Sequence, residues 1–189
     1  MAEIKKATFL LSFGVPIFLL LFLFLIFLGN DSTVNDSTVV VANNGFSIPF
    51  EDEKSFVVTS PFGYRYDPFS RGKALHTGID LGAKEGTNVL ASADGVVERV
   101  GFENGGLGNY VFIKHKIGDE ILYTGYGHML DDSIIVEVGQ IITQGQKIGE
   151  VGTTGASTGF HLHFMIMKGK ISYKYEDLVD PDFVINGLE

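Results

Sequence analysis

The chain has 189 residues, a formal net charge of −9 and no cysteine. The acidic balance argues against nucleic acid or an anionic surface as an electrostatic partner of the folded part. Without cysteine there is no disulfide framework and no thiolate metal site, which leaves His, Asp and Glu as the strong ligands available.

Residues 7–28 carry no charge and include the unbroken apolar run from Ile17 to Leu28. A helix over them, at about 1.5 Å per residue, reaches roughly 33 Å, enough to cross a hydrocarbon core of about 30 Å. Lys5 and Lys6 precede it, and the next basic residue is Lys54. That asymmetry puts the N-terminus in the cytoplasm and everything after the helix outside. A cleaved signal peptide is the other reading of such a start. The apolar run is long for one, however, and Val40-Val41-Ala42 is only a late cleavage candidate. From Asp31 the chain turns polar, with the short duplication Asp31-Ser32-Thr33-Val34 and Asp36-Ser37-Thr38-Val39. The expected organisation is a cytoplasmic stub and transmembrane anchor over 1–30, a polar linker over 31–54 and one folded domain over 55–189.

From Phe56 onward short apolar runs alternate with glycine turns: Phe56 to Val58, Gly95 to Val100, Tyr110 to Lys114, Ile121 to Thr124 and Lys147 to Val151. Several have period 2 and none sustains period 3.6, so the domain is expected to be mostly antiparallel β. Gly118-Asp119 reads as a hairpin turn. The tail from Tyr173 to Glu189 reads as irregular chain or a short helix closing the domain.

Three stretches carry chemistry. Leu75-His76-Thr77-Gly78-Ile79-Asp80-Leu81-Gly82 contains an H-x-x-x-D. On an extended or gently bent segment His76 and Asp80 point to one side, and the two glycines let the backbone curve to bring them together. His115 reads as a strand-end or turn histidine. Tyr123-Thr124-Gly125-Tyr126-Gly127-His128-Met129 sets His128 at the end of a predicted strand beside two glycines, on a loop where packing gives no reason for it. In Ser157-Thr158-Gly159-Phe160-His161-Leu162-His163-Phe164 a polar loop runs into a strand. His161 and His163 then share one face about 6.6 Å apart, with Leu162, Phe164 and Ile166 on the other. A His, an Asp and one further His with an open fourth position make a tetrahedral catalytic zinc site, and His163 can complete the set begun by His76 and Asp80. Each motif alone is equally compatible with surface histidines.

Together, and in this order, the pieces resemble the lysostaphin/LytM-type zinc endopeptidases of bacterial cell walls. Thr59-Ser60-Pro61-Phe62-Gly63-Tyr64-Arg65 looks like that family's opening motif and Gly108 to His115 like its central strand. Tyr126-Gly127-His128-Met129 is similar to its Tyr-x-His-Leu element, and residues 157–164 to its Ser-Thr-Gly-x-His-Leu-His-Phe signature. Phe160, Met165 and Asp67 depart from the commoner pattern. The resemblance implies two antiparallel sheets forming a groove, and one zinc ion held by His76, Asp80 and His163. His128 and His161 would be the unligated catalytic pair. It also implies a peptidoglycan peptide as substrate, hence a single-pass protein of the bacterial cell membrane with an extracytoplasmic hydrolase domain. The alternative is an inactive family member that binds and activates another wall hydrolase. Val136 to Gly149 also resembles the hairpin of biotinyl and lipoyl carriers, but Lys147 lies within an alternating run and lacks their Met-Lys-Met setting.

Overall fold

Alternating apolar and polar residues, interrupted by glycines that take a positive φ, draw the chain into short strands. The computed structural model describes residues 45–66 and 72–187. The apolar segment 7–28 and Asp67 lie outside the described residues, within which no helix is long and apolar enough to cross a membrane. In chain order the strands are β1 (Val57–Ser60), β2 (Gly63–Tyr66), β3 (Lys73–His76), β4 (Ile79–Gly82), β5 (Asn88–Leu90) and β6 (Gly95–Glu103). They continue with β7 (Gly108–Ile117), β8 (Glu120–Met129), β9 (Ile141–Ile142), β10 (Lys147–Glu150), β11 (His161–Lys168) and β12 (Leu178–Val179). A one-turn helix, α1 (Asp182–Ile185), closes the fold after a single 3-10 turn at Tyr175–Asp177.

The domain is mostly β and antiparallel, as expected, but the described residues form three sheets rather than two. The main sheet has eight strands in the order β1-β4-β11-β8-β7-β6-β9, with β12 paired to β11. Two-stranded ribbons, β10 with β5 and β2 with β3, stand apart from it. The extra ribbon arises because β2 and β3 pair only with each other, from Gly63 opposite His76 to Tyr66 opposite Lys73. The hairpin at Gly118-Asp119 is present: Ile117 pairs with Glu120, and Gly118 takes the positive φ such a turn requires.

β11 lies in the main sheet between β4 and β8, so both of its edges are paired, and Leu162 to Met167 are buried on both faces. Leu162, Phe164 and Ile166 enter the larger core cluster with Ile79, Leu81, Val111, Ile113 and Tyr126. On the histidine face Met165 and Met167 join Leu107, Phe112 and Tyr123 in a smaller one.

The linker expected over 31–54 ends earlier than its polarity suggests. Phe46, Ile48 and Phe50 are buried in the larger core, and Ser47 donates its backbone N–H to Ser92 O at 2.7 Å. The short alternation Phe46-Ser47-Ile48-Pro49-Phe50 is a core segment obscured by the polar residues on either side. Gly45, where the described chain begins, lies against Ile117 at the far end of β7.

His115 is another correction. It is not a strand-end residue but an inward-facing one within β7, 1% exposed. Its Nδ1–H donates to Asp94 O at 2.8 Å, so Nε2 must accept from the Thr124 hydroxyl at 2.7 Å. The Thr124 and Tyr126 hydroxyls are 3.0 Å apart, and Tyr126 in turn accepts from the Ser92 N–H at 2.8 Å. The Phe46 ring meets the imidazole edge-on at 5.7 Å. Burial holds this imidazole below its ordinary range, against the opposing pull of the Asp94 carbonyl.

Because the unfolded chain takes up a proton near pH ~6.5 while folded His115 resists doing so, its contribution to stability is complete above that pH. It is lost as the pH falls through the window below. Urea melts at pH 7.5 and 5.5 should show a smaller acid-side loss for His115→Gln than for the wild type, and equal losses would refute the assignment.

Candidate metal centre

The site begins with a register. β11 pairs with β4 so that His163 stands opposite Asp80, and with β8 so that His163 stands opposite Gly127. His76 ends β3, and residues 77–78 carry the chain from it into β4. A Cβ on Gly78 would lie 2.3 Å from Phe164 O and 2.9 Å from Met165 Cγ, so only glycine lets this bend pass close to β11. The H-x-x-x-D spacing therefore works across a bend and not along one strand.

His128 stands near the end of its strand, as expected, but inside β8 and not on the loop beyond it. Tyr126 pairs with Val111 and Met129 with Asn109, so Gly127 and His128 together oppose Tyr110 in a bulge. His128 takes φ 59°, a left-handed conformation that histidine visits more readily than most side chains. Its N–H donates to Leu107 O at 2.6 Å. The bulge re-aims the imidazole into the groove, a known use of such irregularities beside functional sites.

The ring nitrogens decide what the cluster can hold. His76 Nδ1–H donates to Pro61 O at 2.7 Å, His128 Nδ1–H to Thr154 O at 2.7 Å and His161 Nδ1–H to Gly159 O at 2.8 Å. His163 Nε2 lies 3.3 Å from the Thr77 hydroxyl. With the remote nitrogens so engaged, each imidazole turns its other nitrogen inward. His76 Nε2, His163 Nδ1 and Asp80 Oδ1 converge, separated by 3.1, 2.8 and 3.0 Å. Three acceptor atoms this close repel one another unless a proton or a cation sits among them, and two imidazoles with one carboxylate suit zinc. All three residues are buried and together can hold a metal ion. His161 Nε2 lies 3.5 Å from Asp80 Oδ1, while the His128 and His161 rings face each other with centroids 4.7 Å apart.

Electrostatics favour the same reading. Burial alone would raise the Asp80 carboxyl, but His163 and His76 more than reverse this and hold it far below the usual carboxylate range. Burial pushes His163 down, with Asp80 opposing. His128 is driven to about 4, first by burial and then by His163 and His161. It is therefore neutral at pH 7.

The five residues named from the sequence thus share one site, and His115 lies outside it. Thr77, Thr154 and the carbonyls of Pro61 and Gly159 were not legible as its supports, although Thr77 stands beside His76 in the motif. Met165 is fully buried in the smaller core cluster, within 4.0 Å of the Thr77 hydroxyl. The cluster lies in a groove of about 960 Å³ lined on one wall by Arg65, Ala74 and Leu75 and on another by Glu103, Leu107 and Tyr173. Lys147, the residue a carrier domain would modify, lies in β10 with Nζ 2.7 Å from Glu150.

Comparison with known proteins agrees with this geometry. The family described as peptidase family M23 matches residues 74–181. The chain is 43% identical over 129 residues to the DD-carboxypeptidase/endopeptidase Mpg of Neisseria meningitidis, covering 68% of this chain and 28% of that protein. The chain thus spans less than a third of that relative. The catalytic domain of lysostaphin from Staphylococcus simulans superposes with a TM-score of 0.62 at 28% identity, over 71% of this chain and 96% of that one. A zinc-containing peptidase from Vibrio cholerae does so with a TM-score of 0.60 at 33% identity, over 72% and 39% respectively.

Gly78→Ala should push β11 away from the bend that carries His76 and Asp80. Zinc affinity, measured by chelator competition, should fall by about 10- to 100-fold, the usual effect of disturbing the support of a ligand. Unchanged affinity would show that the close approach at Phe164 does not set the ligand geometry.

Proposed function

Since the chain belongs to peptidase family M23, we propose that it is a membrane-anchored zinc metalloendopeptidase that hydrolyses peptide bonds in peptidoglycan. The observation that carries this reading is the convergence of His76 Nε2, Asp80 Oδ1 and His163 Nδ1, with the remote nitrogen of both histidines already engaged. Zinc held there supplies a Lewis acid at the scissile carbonyl and lowers the pKa of water towards ~7.

The protein supplies the rest. Asp80 stays ionised across the working pH range and offsets cationic charge at the centre. His128 and His161 stand outside the ligand triangle and present Nε2 as a lone pair, because Thr154 O and Gly159 O take the Nδ1 protons. A neutral imidazole there can accept the proton that water loses on attack, and the proton is then returned to the leaving amine nitrogen. The partner ring, when protonated at Nε2 as well as Nδ1, donates a hydrogen bond to the oxygen on which negative charge develops. The two rings lie 4.7 Å apart, centroid to centroid, with His161 Nε2 3.5 Å from Asp80 Oδ1, which supports a shared role beside the ligand triangle.

Anchoring rests on the uncharged stretch 7–28 behind Lys5 and Lys6. The full chain made in a bacterium should fractionate with the membrane, and removal of residues 1–30 should release it. Recovery of most active protein in the medium, beginning after Ala42, would overturn this part.

The roles of the paired histidines are separable. His163→Ala should lower zinc affinity steeply, since one of three protein ligands is lost. His161→Ala should keep about one equivalent of zinc while kcat falls by about 10²- to 10⁴-fold. Zinc content by elemental analysis, with turnover on a wall peptide, decides between them. If His161→Ala lost its zinc and His163→Ala retained it, the ligand set would be wrong.

A further inference from the structure

The exposed aromatic side chains are gathered around the groove. Among the described residues they are Tyr64, Tyr66, Phe102, Phe160, Tyr173 and Tyr175. Tyr173 lines the groove, and Tyr64, Tyr66, Phe102 and Phe160 each adjoin a residue that does. Tyr175, from the 3-10 turn, joins them by stacking: its ring lies 6.0 Å from Phe62 with the planes 18° apart, and 5.9 Å from Tyr64 with the planes 29° apart. Lys73 Nζ stands 5.4 Å from the centre of the Tyr64 ring. Tyr64 and Tyr175 nevertheless remain 63% and 54% exposed, so the stack leaves apolar ring surface in water, a mark of a surface kept for a ligand.

The register of the ribbon shows where this stack lies. Tyr64 pairs with Leu75 and Tyr66 with Lys73, while Arg65 pairs with Ala74 and Gly63 with His76. Paired residues share a face and successive ones alternate. Arg65, Ala74 and His76 therefore form the face turned to the groove, and Tyr64, Tyr66 and Lys73 the outer face of the same wall. The metal ligand and the stacked rings are separated by the thickness of one ribbon.

We propose that Tyr64 and Tyr175, backed by Phe62, form a saccharide platform that holds the glycan strand whose peptide occupies the groove. The inference rests on the peptidoglycan reading above. A pyranose presents a flat face of C–H groups edged by hydroxyls, which suits a tyrosine, apolar on its face and polar at its tip. The distance fits as well. Packed layers of sheet are roughly 10 Å apart, and three extended residues span about the same length. A peptide lying in the groove can thus cross the rim and leave its sugar on the outer face. The glycan is uncharged where peptides occupy its carboxyl groups, so a chain of net charge −9 does not repel it. A lipid surface fits less well. Gly45, which leads to the uncharged N-terminal stretch, rests on Ile117, and Ile117 is at the end of β7 remote from Leu107 and the groove.

The test uses the full zinc-loaded chain in detergent and two substrates: a synthetic wall peptide, and the same peptide joined to a tetrasaccharide of alternating N-acetylglucosamine and N-acetylmuramic acid. Wild-type kcat/KM should favour the glycan-linked peptide by about 3- to 10-fold, the range of one or two ring contacts. The double variant Tyr64→Ala, Tyr175→Ala should lose that preference through KM, with kcat, zinc content and turnover of the bare peptide unchanged. Tyr64→Phe with Tyr175→Phe should keep most of it, because the ring faces remain. Saturation-transfer NMR with the peptide-free tetrasaccharide should give a signal for the wild type and none for the double alanine variant. A wild type indifferent to the glycan, or a variant that loses equally on both substrates, would overturn the proposal and leave the hydrolase reading standing. So would binding to phosphatidylglycerol vesicles through the two tyrosines with no signal from the tetrasaccharide. A wild type that cleaves neither substrate yet binds the tetrasaccharide through both tyrosines would overturn the hydrolase reading alone.

Discussion

The site depends on the register of one strand. β11 is held between β4 and β8 with His163 opposite Asp80 on one side and Gly127 on the other. A slip of one residue would turn both imidazoles into the core and bring Leu162 and Phe164 to the groove, because alternate side chains take opposite faces. The core prevents that slip: Leu162, Phe164 and Ile166 are fully buried on the far face and cannot be exchanged for histidines without large loss. Hydrophobic burial on one side of the sheet therefore fixes the ligand geometry on the other.

Around this register the polar groups are arranged so that each nitrogen has one job. Backbone carbonyls take the outer protons of three histidines, and a threonine hydroxyl meets the fourth. The inner nitrogens are left as lone pairs beside an ionised carboxylate. Such a cluster is electrostatically strained in isolation and relaxed around a cation, so ligand binding and local order are coupled. The left-handed backbone at His128 adds strain of a second kind, held in place by hydrogen bonds to Leu107 and Thr154.

Much of this was legible in the sequence because it is written in short-range patterns. The His-x-His entering an apolar run revealed the strand and the face its histidines share, and Gly118-Asp119 revealed the long hairpin. Other parts had no such signature. β2, β3 and β4 are four residues each, too short to show a period, and their pairing depends on a bend at Gly78 whose reason is a carbonyl on a distant strand. His128 was legible at the end of its strand, but the bulge that turns its ring into the groove was not, because the pairing of two residues with Tyr110 leaves no mark in the sequence. His115 was legible as a residue but not as a role, since its partners Asp94 and Thr124 come from two other segments. Phe46 to Phe50 was read as linker because composition averages over neighbours, whereas burial is decided residue by residue.

The point where the N-terminal residues join the domain has a mechanical meaning. Gly45 rests on Ile117, while Gly108, at the other end of the same ten-residue strand, adjoins Thr154 beside His128. At about 3.3 Å per residue the two ends of β7 are roughly 30 Å apart. Residue 45 is thus a handle on the pole remote from the groove. A load applied through it is taken up first by Phe46 and its neighbours in the core, not by the ligand strands.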